Sequence, residues 1–331
     1  MKTKYHISKF RYARFIAIFG VAFCWLAGCS ETQIQQAGAA DDVSEQVKVQ
    51  ANSIGQDVYK LWRRQEKPFY KENSLKEYEK VSSFNVVCAY DVTEPTLTVY
   101  KAEKNNCGKA VILLPGGGYS LVAIYHEGHD LAKMLAKQGI TTAVLKYRLP
   151  NPKSSDKPHL VPLTDTRRAL KLFRSHADKY KFDKDKLGVM GFSAGSHLAT
   201  VASLWKSKDK EENPDFSGLI YGVTRMTDEN VKWLEDSLYY RKFTKAELAQ
   251  NKLLDLVNKD TPPAFLAHAY DDKVCNVKES TLYAEKLFEY KVPAEMHLFT
   301  KGGHGFGTGR KEDGTDQWVP LFVNWLKNID L

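Results

Sequence analysis

A serine between two glycines, in the segment Gly191-Phe192-Ser193-Ala194-Gly195, has the spacing of a nucleophile for acyl transfer. The Gly-x-Ser-x-Gly pattern is typical of a tight turn from a strand into a helix, which exposes the serine hydroxyl. The apolar run 187–190 before it and the helix-forming segment 196–202 after it agree with that context. The motif also occurs by chance in many chains, so the prediction of Ser193 as the nucleophile depends on partners elsewhere in the sequence.

A base and a carboxylate follow this serine in the order Ser, Asp, His. His304 lies in the glycine-rich segment 301–307, after the last apolar run, and we predict it as the base. Asp271 and Asp272 both follow the apolar run 264–270, so either can orient the base from the carboxyl edge of a sheet. The other histidines after residue 28 have weaker claims: His126, His129, His159, His176, His197, His268 and His297.

A second glycine-rich segment, Pro115-Gly116-Gly117-Gly118-Tyr119, directly follows the apolar run 110–114. Glycines there can present backbone N–H groups to an oxyanion, and we predict Gly117, Gly118 and Ala194 as the donors. A nucleotide-binding loop is the alternative, but neither Gly-x-Gly-x-x-Gly nor Gly-Lys-Ser/Thr occurs here. The predicted chemistry requires no metal and no organic cofactor.

Strand and helix patterns alternate through most of the chain, which predicts an α/β fold with a mostly parallel central sheet flanked by helices. The predicted strands are 110–114, 141–145, 187–190, 219–223, 264–270 and 294–299, and the main predicted helices are 163–180, 277–290 and 317–327.

Three further segments lie outside this alternation. The segment from Asp57 is predicted to be a helix with an entry loop, and 84–90 with 96–102 to be an antiparallel hairpin at the sheet edge. Residues 227–259 form a small helical insertion, interpreted either as the cover of a pocket or as a plain surface hairpin.

The N-terminus has the features of an export signal. Five basic residues precede the apolar run 15–26, which ends in Leu26-Ala27-Gly28-Cys29 and resembles the lipobox of bacterial lipoproteins. We expect residues 1–28 to be a lipoprotein signal peptide, Cys29 to carry lipid, and 29–52 to be a flexible tether. An ordinary signal peptide or an uncleaved anchor helix are the alternatives. The expected localisation is the bacterial cell envelope, at the outer membrane, with the predicted α/β domain over 53–331.

The net charge of the chain bears on whether it binds nucleic acid. The chain of 331 residues has a net charge of +8, from 48 Lys and Arg against 40 Asp and Glu. Removal of 1–28 takes away five basic residues, so 43 bases face 40 acids and the charge becomes +3. Such a balanced chain gives no indication of a nucleic-acid partner.

Cys88 and Cys107 can form a disulfide in an exported protein, which would leave Cys275 free.

These motifs resemble the α/β-hydrolase superfamily, and within it the bacterial acetylxylan-esterase-like and hormone-sensitive-lipase-like carbohydrate esterases. The resemblance runs from Val81 to the C-terminus and is carried by the segments 115–119, 147–150, 188–199, 261–272 and 302–307. In that family the acid stands four residues after a histidine at the strand end, here His268, which selects Asp272 over Asp271. The chain departs from the family pattern at Ser196, Gly222 and Asn276. Three charged residues match recurring family positions and are interpreted as structural or pocket-lining: Glu127, Arg148 and Asp165.

The resemblance implies a serine esterase that removes small acyl groups, above all acetyl, from polysaccharide or oligosaccharide through an acyl-enzyme intermediate. The implied partners are an acylated carbohydrate or other small ester and, through the N-terminal lipid, the bacterial membrane. A prolyl-oligopeptidase-like serine peptidase is the first alternative, but the region before Val81 is too short for the usual accessory domain. The second alternative is an inactive hydrolase-fold lipoprotein that only binds, and the intact set of predicted catalytic residues argues against it.

Overall fold

The computed structural model describes residues 56–63 and 66–331, in which ten strands alternate with helices. The predicted signal peptide, Cys29 and the tether lie outside the described residues. The strands are β1 Asp57–Lys60, β2 Tyr78–Val81, β3 Val87–Tyr90, β4 Thr96–Tyr100, β5 Ala110–Leu114, β6 Thr141–Lys146, β7 Leu187–Phe192, β8 Ser217–Ile220, β9 Ala264–Ala269 and β10 Ala294–Phe299. The α-helices are α1 Asp130–Lys137, α2 Val161–Arg174, α3 Ala177–Tyr180, α4 Ala194–Leu204, α5 Asp228–Leu234, α6 Lys245–Gln250, α7 Leu253–Leu256, α8 Lys278–Glu289 and α9 Trp318–Asn328.

Eight of the strands form one sheet in the order β1-β4-β6-β5-β7-β8-β9-β10. The neighbours from β6 to β10 pair in parallel, while β4 pairs antiparallel with both β1 and β6. Every residue of β5, β7 and β9 is buried, as expected for parallel strands that have helices on both faces. The predicted α/β-hydrolase fold class is confirmed.

The prediction for the first described segment is wrong. The residues from Asp57 form strand β1, which pairs antiparallel with β4, with Asp57 opposite Val99. Val58 and Tyr59 have the branched and aromatic side chains that favour a strand. The hydrogen-bonding partner of this short edge strand lies about forty residues further on, beyond the reach of a local pattern. Leu61, which follows β1, is buried in the core, so this segment does pack on the domain.

The predicted hairpin between 84–90 and 96–102 is also wrong in its pairing. Both segments contain a strand, but β3 pairs with β2 in a separate two-stranded sheet and β4 pairs inside the main sheet. Strand β4 faces β6, with Thr96 opposite Lys146, so its apolar side chains are buried against residues distant in the chain. Burial in the main sheet therefore decides the pairing, and the short connection at Glu94-Pro95 does not.

Smaller differences concern one helix and the cysteines. The predicted helix 163–180 is divided into α2 and α3 at Ser175 and His176. Cys88, Cys107 and Cys275 are free thiols, so the disulfide between Cys88 and Cys107 is not formed. Among the described residues, no helix combines the length and the apolar character needed to cross a membrane.

A buried ion pair attaches the N-terminal segment to the sheet. The Asp165 carboxylate accepts hydrogen bonds from the Arg148 guanidinium at 2.7 Å and from the Trp62 indole at 2.7 Å. Arg148 also donates to the carbonyl of Pro68 at 2.9 Å. Loss of one member of such a buried pair typically costs about 3–5 kcal/mol, because the other charge stays buried without a partner. The structural interpretation of Arg148 and Asp165 agrees with these contacts.

Candidate active site

The turn at Ser193 joins the carboxyl end of β7 to the N-terminus of α4. Ser193 has φ 50° and ψ −118°, a backbone conformation that L-residues rarely adopt. A Cβ on Gly195 would lie 1.9 Å from the carbonyl oxygen of Leu114, and one on Gly191 would lie 2.0 Å from the carbonyl oxygen of Gly195. Glycine is therefore required at both positions, and the packing that requires it also holds Ser193 in a strained turn.

Ser193, His304 and Asp272 form one chain of hydrogen bonds. Nε2 of His304 lies 2.8 Å from Oγ of Ser193, and Nδ1 of His304 lies 2.8 Å from Oδ2 of Asp272. The carboxylate can only accept, so Nδ1 donates to it and the lone pair of Nε2 is directed at the serine hydroxyl. This arrangement is suited to removing the proton from the hydroxyl as the oxygen attacks an electrophile.

The Asp272 carboxylate is surrounded by donors. Its Oδ1 accepts from the backbone N–H groups of Val274 at 2.8 Å and Cys275 at 2.9 Å. Its Oδ2 lies 3.2 Å from Nε2 of His268 as well as beside His304. Burial raises the pKa of this carboxyl, but the hydrogen bonds from His268, His304 and Cys275 outweigh that effect and hold the pKa well below its usual range. Asp272 therefore stays ionised and can stabilise a protonated His304.

Asp271 has a different position from its neighbour. Its exposed carboxylate accepts a hydrogen bond from the backbone N–H of Gly303 at 2.7 Å and does not bond to the imidazole. Asp271 therefore anchors the segment Lys301–Gly307, which we call the base loop. The structure brings Asp272, the residue selected by the family resemblance, to His304.

The segment Pro115–Tyr119, which we call the oxyanion loop, lies directly against Ser193. A Cβ on Gly116 would lie 3.0 Å from Cβ of Ser193 and 2.6 Å from the carbonyl oxygen of Phe192. Within the described residues, no hydrogen bond occupies the backbone N–H groups of Gly117 and Gly118. Ala194 is the first residue of α4, and the first N–H groups of a helix have no acceptor within it. The oxyanion loop thus lies against Ser193 through Gly116, and the N–H groups of the three predicted donors have no acceptor among the described residues.

The insertion 227–259 contacts the oxyanion loop. The Trp233 indole donates to the carbonyl of Gly118 at 3.3 Å, and its ring stacks on Tyr119 with the centroids 5.6 Å apart. Part of the insertion also borders a narrow cavity of about 10 Å³ beside α4, together with Tyr119 and His197. Trp233 of the insertion therefore packs against the oxyanion loop, while the choice between a pocket cover and a plain surface hairpin stays a prediction.

The other histidines do not reach the serine. His197 is buried in α4 with Nδ1 2.8 Å from the Tyr119 hydroxyl, and burial lowers its pKa to about 4. His297 lies on the edge strand β10, 2.7 Å from Glu295. Across the described ranges, no group of three or more His, Cys, Asp or Glu side chains has the arrangement of a metal site.

Two supporting residues have no chemical role in the prediction from the sequence, which interprets Glu127 only as structural or pocket-lining. His268 contacts Asp272, and the spacing of four residues between them, at the end of a strand, was the available signal. Glu127 accepts a hydrogen bond from the backbone N–H of Gly116 at 2.6 Å, and its local sequence gives no sign of this contact.

The fold and this arrangement of Ser193, His304 and Asp272 define an esterase-like α/β-hydrolase. The chain belongs to the BD-FAE family, which it matches over residues 97–287. It is 33% identical over 232 residues to an acetylxylan esterase of Xylanibacter ruminicola, a match that covers 68% of this chain and 47% of that protein. It is 30% identical over 252 residues to the endo-1,4-beta-xylanase B of Butyrivibrio fibrisolvens, with 73% of this chain and 39% of that protein covered. The chain thus spans less than half the length of both relatives.

Among solved structures, the chain is similar to an acetyl ester-xyloside bifunctional hydrolase from Caldicellulosiruptor lactoaceticus. The TM-score is 0.68 at 28% sequence identity, and the match covers 82% of this chain and 95% of that one. A truncated carbohydrate esterase from gut microbiota has a TM-score of 0.58 at 21% identity, with 70% and 91% covered, and shares the fold.

The buried His197 predicts a specific loss of stability at mildly acidic pH. Its pKa is about 4 in the folded protein against an ordinary 6.5, so the unfolded chain binds a proton that the folded chain does not. Above pH 6.5 His197 is neutral in both the folded and the unfolded protein and does not reduce the free energy of unfolding. As the pH falls toward 4, protonation of the unfolded chain lowers that free energy by about 3 kcal/mol in all. We expect the free energy of unfolding to fall more steeply over this window in the wild type than in His197→Gln.

Urea denaturation of both proteins at several pH values between 7.5 and 4 measures this difference. His129, whose pKa burial also lowers to about 4, is present in both proteins, so its contribution cancels. Parallel stability curves would contradict the prediction.

Proposed function

We propose that this protein is a serine carboxylic ester hydrolase that removes small acyl groups, acetyl above all, from hydroxyl groups of polysaccharide or oligosaccharide. The observation that carries the proposal is the continuous hydrogen-bonded chain from the Ser193 hydroxyl through His304 to Asp272, with both contacts at 2.8 Å. The adjacent oxyanion loop supports the same chemistry, because acyl transfer needs donors for the negative charge that develops on the carbonyl oxygen.

The reaction proceeds in two halves. Oγ of Ser193 attacks the acyl carbon while Nε2 of His304 takes the hydroxyl proton, and the carbonyl π electrons move onto oxygen to give a tetrahedral intermediate. Collapse of this intermediate breaks the bond to the alcohol oxygen, which receives the proton from His304. Water then attacks the acyl-enzyme with His304 again as the base. The bond to Oγ breaks, the proton returns to Ser193, and the carboxylic acid leaves.

The electrostatic groups act at separate points of this cycle. The ionised Asp272 stabilises the imidazolium that forms when His304 holds the proton. The N–H groups of Gly117, Gly118 and Ala194 stabilise the oxyanion, and one such donor typically contributes about 10²–10³-fold in rate. The helix α4 begins at Ala194, so the positive end of its dipole also faces the developing charge.

The substrate class rests on the names of the relatives. The related proteins are an acetylxylan esterase, an endo-1,4-beta-xylanase and an acetyl ester-xyloside hydrolase, which together point to acetyl groups on xylan or its fragments. Fold alone does not identify a substrate, so this part of the proposal depends on these likenesses.

The first test is the hydrolysis of p-nitrophenyl acetate by the wild type and by Ser193→Ala. We expect the substitution to lower kcat by roughly 10⁴-fold or more, because no other nucleophile can form the acyl-enzyme. A fluorophosphonate probe should add its mass to Ser193 of the wild type and not to the variant. Ser196→Ala is the matched control, because Ser196 lies in the same helix and outside the predicted reaction, and it should keep both activities.

The choice of substrate separates the alternatives. Release of acetate from acetylated xylooligosaccharides, faster than cleavage of longer acyl esters, is the expected result. Faster cleavage of an aminoacyl-proline amide would favour a peptidase instead. A wild type as inert as Ser193→Ala on every compound would favour the binding protein.

A second prediction distinguishes the two adjacent aspartates. Asp272→Asn should lower kcat by on the order of 10³–10⁴-fold, because an amide cannot stabilise the imidazolium and favours the wrong tautomer of His304. Asp271→Asn should stay within about tenfold of the wild type, since the amide oxygen still accepts the hydrogen bond from Gly303. Steady-state kinetics on p-nitrophenyl acetate measures both, and equal losses would contradict the assignment of Asp272.

We further propose that residues 1–28 are removed, that lipid on Cys29 anchors the protein in the bacterial cell envelope, and that 29–52 tether a domain over 53–331. The basic segment, the apolar run and the Leu-Ala-Gly-Cys ending support this proposal. In bacteria fed labelled palmitate, the wild type should take up the label and Cys29→Ala should not. Label that persists in Cys29→Ala would contradict lipidation at this residue.

A further inference from the structure

A buried carboxylate lies beside the active site without a part in the proposed reaction. Glu127 stands in a π-helical turn, Tyr125–His129, between the oxyanion loop and α1, and is 5% exposed. Such turns are rare and occur often at functional sites. A buried carboxylate is costly unless hydrogen bonds satisfy it, so the donors around Glu127 indicate what it does.

Each oxygen of Glu127 bonds to a different part of the site. Oε2 accepts from the backbone N–H of Gly116, in the oxyanion loop, at 2.6 Å. Oε1 accepts from the Tyr221 hydroxyl at 2.7 Å, and that hydroxyl oxygen accepts from the backbone N–H of Gly307, in the base loop, at 3.0 Å. One carboxylate thereby connects the two loops, which are about 190 residues apart in the chain.

The same turn and the same tyrosine contact the base loop in other ways. Nε2 of His126 donates to the carbonyl of Gly305, with the atoms 2.9 Å apart. The ring of Tyr221 packs edge-to-face on the ring of His304, with centroids 5.1 Å apart, and on Phe306 at 4.6 Å. Tyr221 itself has φ 38°, so its backbone is held in a strained conformation by these neighbours.

The approach of Glu127 to the nucleophile is close. A Cβ on Gly116 would lie 2.8 Å from Oε2 of Glu127 and 3.0 Å from Cβ of Ser193. Glu127 and Ser193 therefore border the same glycine, and a shift of this carboxylate moves the backbone that leads into Gly117 and Gly118.

We propose that Glu127 is a positioning residue, whose carboxylate fixes the oxyanion loop relative to the base loop through Gly116 on one side and Tyr221 and Gly307 on the other. The expected effect of Glu127 on the reaction rate rests on the proposed function. The expected effect of Glu127 on the order of the two loops does not depend on any activity.

The test is Glu127→Gln in the full chain. Glutamine has the same shape but only one acceptor oxygen, so one of the two donors loses its acceptor. We expect kcat and kcat/KM for p-nitrophenyl acetate to fall together, by on the order of 10²-fold, because the misplaced donors are needed in the transition state. Amide hydrogen exchange, followed by mass spectrometry, should be faster by about tenfold in peptides that cover the oxyanion loop and the base loop.

Asp215→Asn is the control for the loss of a carboxylate charge at a distance from the candidate active site. Asp215 also accepts from one side-chain donor, Arg174 at 2.8 Å, and from one backbone N–H, that of Leu187 at 2.8 Å. Leu187 begins β7, so this contact lies at the end of the strand opposite Ser193. We expect Asp215→Asn to keep kcat within about threefold and to leave hydrogen exchange in both loops unchanged.

Tyr221→Phe divides the network. It removes the link to Gly307 and leaves the contact between Glu127 and Gly116, so exchange should be faster in the base loop only. This variant tests the connection independently if Glu127→Gln does not fold.

The outcomes separate the two proposals. A wild type without esterase activity would overturn the proposed function, while hydrogen exchange would still decide the role of Glu127. Unchanged exchange in both loops of Glu127→Gln, or a uniform increase over the whole chain, would overturn the positioning role. Full activity of Glu127→Gln would overturn it as well.

Discussion

The close contact between the Ser193 turn and strand β5 is the constraint on which the site depends. Gly195 lies so near the carbonyl of Leu114 that any side chain would collide with it. The same strand continues directly into the oxyanion loop, so this one backbone contact fixes the Ser193 turn relative to the predicted oxyanion donors. The strained backbone of Ser193, which costs on the order of 1–3 kcal/mol, persists because the parallel strands on both sides of β7 leave the turn no alternative path.

Buried carboxylates extend this arrangement from the sheet to the loops. Parallel strands fix where each loop begins, but a loop has no regular hydrogen-bonding pattern of its own. Asp165, Asp272 and Glu127 are each almost fully buried, and each accepts at least two hydrogen bonds. In each case one donor comes from a segment distant in the chain: Trp62, His304 and Tyr221, respectively. A buried carboxylate is costly unless it is hydrogen-bonded, and the donors named above offset that cost. Because the cost returns when a donor moves away, each carboxylate holds its loops in one arrangement.

The sequence predicts the parallel core well, because fully buried strands such as β5 and β9 are short apolar runs bounded by turn residues. It also predicts Ser193 and His304, whose glycine-rich surroundings are local and whose side chains the fold brings within 2.8 Å of each other. The predictions for β1 and for the pairing of β4 are wrong because strand pairing is decided by residues distant in the chain. The contacts of Glu127 lie beyond local patterns for the same reason. Asp272 was separated from Asp271 only by resemblance, since both follow the same strand.

The base loop is rich in glycine, yet it must hold the His304 ring within hydrogen-bonding distance of Ser193. Its four glycines, at 302, 303, 305 and 307, have positive φ in the folded protein. Glycine also loses more conformational freedom on folding than any other residue, so ordering this loop is costly. Hydrogen bonds from residues other than Ser193 and Asp272 restrict the folded loop, among them those between Asp271 and Gly303, His126 and Gly305, Tyr221 and Gly307, Trp318 and Gly307, and Arg310 and Gly302. Glycine lets the backbone carry the His304 ring to Ser193, and these hydrogen bonds then hold it there. The position of the His304 ring therefore depends on residues that have no part in the proposed proton transfer.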